Sequence, residues 1–264
     1  MGRTYANPVQ PVEGPRSVRM LWASLVVVLL ATATARAQDA ELMELHLVLA
    51  FDVSASVNDR EFDLQRTGTA MALRSELVAE AITRAPGGVA IAIVQWSSVS
   101  RQALGLDWVE LHTRADVNDY ADEVADMPRR IPGGGTMIHS GLDFAARLLE
   151  AAPRYARRQV VDIAGNGRAD DEKRLLESRD RLLSRGIVIN GLAIEEDFDD
   201  LTNYFERFVI GGPNAFVITA SGFEDFTTAM EAKLMREISG PAFSKLHGDK
   251  PARRLAARVA APDR

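Results

Sequence analysis

The stretch Leu45-His46-Leu47-Val48-Leu49-Ala50-Phe51-Asp52-Val53-Ser54-Ala55-Ser56 decides how this chain is read. The apolar run Leu45 to Phe51 has the length and composition of a buried strand. One carboxylate and two hydroxyls follow it at alternating positions, Asp52, Ser54 and Ser56. In extended backbone, alternating side chains point to the same side, so three oxygens converge at the carboxyl end of a strand. Open α/β sheets place their ligands there. Hard oxygens without His or Cys suit Mg²⁺, Mn²⁺ or Ca²⁺ rather than zinc.

Working outward, apolar runs of strand length alternate with helix-period segments. The spacing predicts strands at Leu45–Phe51, Val89–Val94, Val160–Ala164, Ile187–Ala193 and Phe216–Thr219, with Val99 to Trp108 as a weaker edge strand. Between them it predicts helices over Asp59 to Arg84 (apolar face Phe62, Leu73, Leu77, Ala81), Ala115–Met127, Ile138 to Leu149, Asp170–Ser184, near Leu201–Phe208, and Glu224–Ile238. Pro86-Gly87-Gly88 breaks the first of these, and Gly186 stops the helix before it. The expectation is an α/β domain from 42 to 239: a doubly wound, mainly parallel six-stranded sheet with helices on both faces. A basic tail, 240–264, follows.

The 264-residue chain is 47% apolar and 26% charged, as in an ordinary globular protein. It has no cysteine, which excludes disulfides, Cys-zinc sites, iron–sulfur clusters and thiol nucleophiles. Near the N-terminus, Arg16 and Arg19 precede an apolar run from Met20 to Ala31, then small residues ending Ala35-Arg36-Ala37. That is the layout of a secretory signal peptide, residues 1–37, cleaved after Ala37, and it implies a periplasmic or secreted protein. The apolar run is shorter than the ~20 residues of a membrane-spanning helix, so no stable span is expected after cleavage. Translation starting at Met20 is the alternative beginning. Without residues 1–37 the chain holds 27 basic against 36 acidic residues, a net charge of −9. Six of those bases lie beyond Ser239. A folded part so acidic excludes nucleic acid and anionic membrane surfaces as partners.

Two more loops carry chemistry. Gly133-Gly134-Gly135-Thr136 lies just ahead of the Ile138 helix, where glycines let backbone approach closely and Thr136 presents a hydroxyl from the helix start. Gly165-Asn166-Gly167 directly follows the strand Val160–Ala164. D-x-S-x-S, a Gly-rich loop with Thr, and a post-strand polar residue before Gly resemble, in that order, the von Willebrand factor A domain with its metal-ion-dependent adhesion site. Val94-Gln95-Trp96-Ser97, Val161-Asp162-Ile163-Ala164-Gly165, Asn190-Gly191-Leu192-Ala193-Ile194 and Val209-Ile210-Gly211-Gly212-Pro213 are similar to an uncharacterised Gram-negative branch, the domain of unknown function of the 1194 series.

The resemblance implies Asp52, Ser54 and Ser56 as first-loop ligands, the serines touching the metal and the aspartate helping through water. It implies Thr136 as the second-loop ligand. The third-loop position, normally Asp, is Asn166 here. A charge pair at ~4 Å is worth about 4 kcal/mol at an effective dielectric near 20, before desolvation. The implied Mg²⁺ or Mn²⁺ (or Ca²⁺) is therefore weakly bound, and its shell is completed by an acidic side chain of a protein partner.

Three other readings stay open. Ser56, Asn58 and Asp59 are also residues that cap a following helix. A metal-assisted phosphohydrolase would use Asp52 as nucleophile or ligand, but such chemistry needs more acids or a base around the ion. A degenerate scaffold would bind partners without metal. Gly133–Gly135 lacks the lysine of a phosphate-binding loop. His139, one helical turn from Thr136, reads as a packing residue, and no other histidine pairs with it. The acid cluster Glu195, Glu196, Asp197, Asp199 and Asp200 reads as a solvated loop.

Overall fold

The structure, a computed structural model, describes residues 42–247 and, ahead of them, Gly2 alone. The expected signal segment and most of the basic tail lie outside the described residues. Six strands form one sheet: β1 (Met43–Asp52), β2 (Val89–Trp96), β3 (Gln102–Leu111), β4 (Ala156–Gly165), β5 (Val188–Ile194) and β6 (Val217–Ala220). Their order is β3-β2-β1-β4-β5-β6. Every pairing is parallel except β2–β3, which is antiparallel with two register irregularities. The mainly parallel α/β architecture expected from the alternation of elements is the one observed.

Seven α-helices accompany the sheet among the described residues: α1 (Asp59–Arg74), α2 (Glu76–Arg84), α3 (Arg114–Asp126), α4 (Ile138–Glu150), α5 (Glu172–Ser184), α6 (Leu201–Tyr204) and α7 (Phe226–His247). Alternation within β1 builds two cores. Leu45, Leu47, Leu49 and Phe51 pack with Phe62, Leu73, Val117, Phe226 and Leu234 on one face. Val48 and Ala50 pack with Ile138, Leu142, Leu175 and Phe205 on the other. Both faces of the central strand are thus dry, and that is why it reads as an apolar run broken only by the buried His46. No described helix is long and apolar enough to cross a membrane.

Several boundaries differ from expectation. The stretch from Asp59 to Arg84 is two helices, because Ser75 takes extended backbone and caps α2 by accepting from Val78 N. The new helix axis turns Leu77 outward, 57% exposed, and off the buried face predicted for it. The edge strand runs Gln102–Leu111, beginning three residues beyond Val99. After α6 the chain passes into a π-helical turn, Phe205–Val209. The last helix opens with a 3-10 turn, Phe223–Asp225, and breaks at Gly240 (φ 59°). Helical backbone then resumes to His247, inside the expected tail. Arg158 donates to the carbonyls of Glu237 and Ile238 just before that break.

Trp96 ends β2 fully buried and donates from Nε1 to Ala50 O at 3.2 Å. Gly141 of α4 lies flat on its ring, and a Cβ there would sit 2.7 Å from Trp96 Cγ. Glycine to alanine in a helix interior ordinarily stabilises by about 1 kcal/mol. Overpacking against an immobile indole costs about 1–3 kcal/mol. Gly141→Ala is therefore expected to destabilise by about 1–2 kcal/mol in urea unfolding, and a gain in stability would show that Trp96 yields.

Candidate metal centre

The carboxyl ends of β1 and β4 open onto one rim. Asp52 is the last residue of β1 and 1% exposed. Its Oδ1 accepts from Ser54 N at 2.7 Å, which closes a tight turn. Its Oδ2 is buried with no hydrogen-bond partner among the described residues. Burial pushes the carboxyl up to about 6, offset in part by the nearby Ser54 and Asn166 backbone and by the Arg129 charge. Gly165 stands over Oδ2, where a Cβ would come within 3.1 Å.

Ser54 is buried beside Asp52, and its Oγ lies 3.0 Å from Ser56 Oγ. Ser56 Oγ donates to Asn166 Oδ1 at 2.8 Å, joining the first loop to the third. The capping role that Ser56 shared with Asn58 in the sequence falls to Asn58. Its side chain accepts from Glu61 N, and Glu61 answers by accepting from Asn58 N. Arg129 straps the first loop from behind, donating to Val53 O and Val57 O.

The glycine loop docks on the first loop through Ala55 N to Gly134 O at 2.8 Å. A Cβ on Gly134 would fall 2.2 Å from Ser98 Oγ, which accepts from Gly135 N, so only glycine passes here. Thr136 exchanges bonds with the third loop: its N–H donates to Asp170 Oδ2, and Asp170 N donates to Thr136 O. A Cβ on Gly167 would lie 3.6 Å from both Oγ1 and Cγ2 of Thr136, so the Thr136 side chain borders the segment carrying Asn166. The helix itself starts at Ile138, where the spacing placed it. Met137 is the cap residue of α4, with no side-chain cap bond, so Thr136 lies outside the helix.

Direct bonds thus bring Asp52, Ser54, Ser56 and Asn166 together, and Thr136 borders them through the backbone. The donor set fits a hard divalent cation: hydroxyl and amide oxygens, plus a buried carboxylate oxygen that has nothing to bond. No cluster of three or more His, Asp or Glu placed to hold a metal exists among the described residues, so any cation here rests on hydroxyl chemistry. His139 is buried in α4 and bonds to none of these loops. In the acid cluster, Glu195 accepts from Thr202 N and Asp200 pairs with Arg168.

Two acids near the third loop fill no ligand position in the sequence pattern. Asp170 holds the glycine loop in place, a role no local pattern marks. Asp162 faces the α7 side, where Lys233 Nζ lies 3.0 Å from its Oδ1 and 3.2 Å from Glu237 Oε1, all three side chains buried. Asn190 donates to both Glu237 oxygens. Lysine and glutamate four apart, read in one dimension, are indistinguishable from a solvated helix pair.

A sheet in this order, with three polar loops on one rim, defines a von Willebrand factor A-like domain. Residues 42–242 match the family described as "Protein of unknown function (DUF1194)", and the chain belongs to that family. No curated protein matches the sequence. Among solved structures, it is similar to proximal thread matrix protein 1 from the mussel byssus with a zinc-occupied metal-ion-dependent adhesion site. Identity there is 19% and the TM-score 0.56, covering 76% of this chain and 47% of that one. It is also similar to a von Willebrand factor type A protein from Catenulispora acidiphila, at 14% identity and TM-score 0.51, covering 75% and 43%. The von Willebrand domain of the type V pili tip protein Mfa5 from Porphyromonas gingivalis gives 10% identity and TM-score 0.52, covering 84% and 98%. The chain spans about half the length of the byssus protein. At these identities the likeness is one of fold.

Proposed function

We propose that this chain is an exported binding module that engages an acidic side chain of a protein partner through a divalent cation at the rim. One observation carries the reading: the buried Asp52 Oδ2 has no hydrogen-bond partner among the described residues, beside Ser54 and Ser56 hydroxyls already gathered within hydrogen-bond distance. Ser54, Ser56 and Thr136 would hold Mg²⁺ or Mn²⁺, with Asp52 and Asn166 behind them through water. Bound there, the cation supplies an open coordination position for a carboxylate oxygen. Asp52 is too deeply buried to reach a substrate as a nucleophile, which argues against a hydrolase that uses it in that role. The export step rests on residues 1–37 as a signal peptide cleaved after Ala37, with 42–239 as the folded module. The occurrence of similar folds in pilus and matrix proteins supports an extracytoplasmic setting.

A specific observation favours a second reading. Asn166 contributes no charge, and its Oδ1 already accepts from Ser56 Oγ, so the rim also stands as a metal-free scaffold for partner binding. Calorimetric titration with Mn²⁺ separates the two. Wild type is expected to bind weakly and Asp52→Ala not at all. Asn166→Asp, which adds a charge, is expected to bind at least about tenfold more tightly. Equal heats from wild type and Asp52→Ala would remove the cation from the proposal. Capture of partners from periplasmic extract with Mg²⁺, repeated with chelator, then tests whether partner binding needs the ion.

A further inference from the structure

A cavity of about 280 Å³ opens between α4 and α5. Its lining is rich in donors. Arg147, Arg174 and Arg181 bring guanidinium groups to it, and buried His139, Ser140 and Ser178 form the inner part. Ser178, 1% exposed, accepts from Arg181 at 2.7 Å, and its own hydroxyl proton has no acceptor among the described residues. His139 is 5% exposed, and its Nδ1 is covered and unbonded. Burial lowers its pKa, so the ring is neutral. A buried orphan N–H is rarer than a bare acceptor, so the proton belongs on Nε2, which is left as a donor.

Acceptors are scarce by comparison. Asp143 is spent on Arg181, at 2.9 and 3.2 Å. Ser140 Oγ already accepts from Gln102 and donates to Met137 O. Glu177 is exposed. Arg147 lies over the Phe144 ring at 5.4 Å, which orients its plane, and makes no hydrogen bond or ion pair among the described residues. Arg174 has only a 3.4 Å pairing of its Nε with Asp171. Planar guanidinium forks with unused N–H groups match the paired oxygens of phosphate or carboxylate.

We infer that this cavity is a second ligand site, taking a small oxyanion carried as phosphate or carboxylate between Arg147, Arg174, Ser178 and His139. It does not depend on a cation at the rim. The test is an amide and imidazole NMR titration of the full chain in EDTA, with inorganic phosphate in one arm and succinate in the other. Saturable shifts confined to α4, α5 and the His139 ring are expected in at least one arm, and the tighter arm identifies the source. Ser178→Ala and Arg147→Gln, with otherwise unchanged spectra, should each weaken that binding about fivefold or more. No saturable shift in either arm, or affinities unaltered in both variants, would overturn the site.

Discussion

Asp52→Asn is expected to make the metal-free protein more stable at pH 7.5 while abolishing any stabilisation by Mn²⁺. The carboxyl is pushed from its ordinary 3.8 up to about 6, chiefly by burial. That displacement corresponds to about 3 kcal/mol of penalty on the charged form. An asparagine NH₂ that finds no acceptor costs about 1–3 kcal/mol, so a net gain of up to about 2 kcal/mol is expected. The sign with pH follows from the raised value. In EDTA the stabilisation from this group is complete below about pH 4 and lost as pH rises through about 6. Urea unfolding at pH 5 and 7.5 should show that slope in wild type and a flatter one in the variant. Thermal shifts with Mn²⁺ should appear in wild type alone. A variant less stable than wild type at pH 7.5, yet still stabilised by Mn²⁺, would mean that Asp52 serves the fold rather than a ligand.

Lys233→Met should be the most damaging substitution in the molecule at alkaline pH. Among the described residues the ammonium is the one cation paired with the buried carboxylates of Asp162 and Glu237, and it also lies 4.5 Å over the Phe216 ring. At 3.0 Å from Asp162 Oδ1 it is off the hydrogen-bond direction, so charge holds that pair. Removing one partner of a buried ion pair costs about 3–5 kcal/mol. Burial pushes Asp162 up to about 7; Lys233 pulls it down, and Glu237 pushes it further up. Because the value is raised, this group's contribution is full below about pH 4 and is lost as pH rises through about 7. The penalty of Lys233→Met should therefore shrink at pH 5, where Asp162 takes a proton, and be full at pH 8. Asp162→Asn, which removes the excess negative charge, should be neutral or stabilising at pH 8. Denaturant unfolding of both variants at the two pH values checks this, and a loss below about 1 kcal/mol for Lys233→Met at pH 8 would refute it.

The fold was legible because its parallel strands are dry on both faces. Val89–Val94 stands out as an apolar run, and Leu45–Phe51 and Val160–Ala164 as runs interrupted only by His46 and Asp162, each closed by polar or glycine residues. Legibility failed where a tertiary choice overrode local pattern. The Asp59–Arg84 stretch keeps helical periodicity throughout, yet Ser75 ends one helix and caps the next, so Leu77 faces solvent. The candidate ligand positions could be read because each lies within a few residues of a strand end or a glycine run. Their supports could not. Asp170 reaches Thr136 across 34 residues and Arg129 reaches Val53 across 76, and neither spacing leaves a mark on the linear sequence. Asn58 is an instructive middle case: the capping chemistry was evident, but only the structure assigns it away from Ser56.

The position of β1 has one more consequence. It is hydrogen-bonded on both sides, by β2 and by β4, and Asp52 is its final residue. Such a strand exchanges its amides only when the whole domain opens. The glycine loop instead belongs to a stretch, 127–137, without helix or strand. The rim therefore has two unlike walls: one ends a strand paired on both sides, and the other is irregular backbone pinned by bonds to Ala55, Ser98 and Asp170.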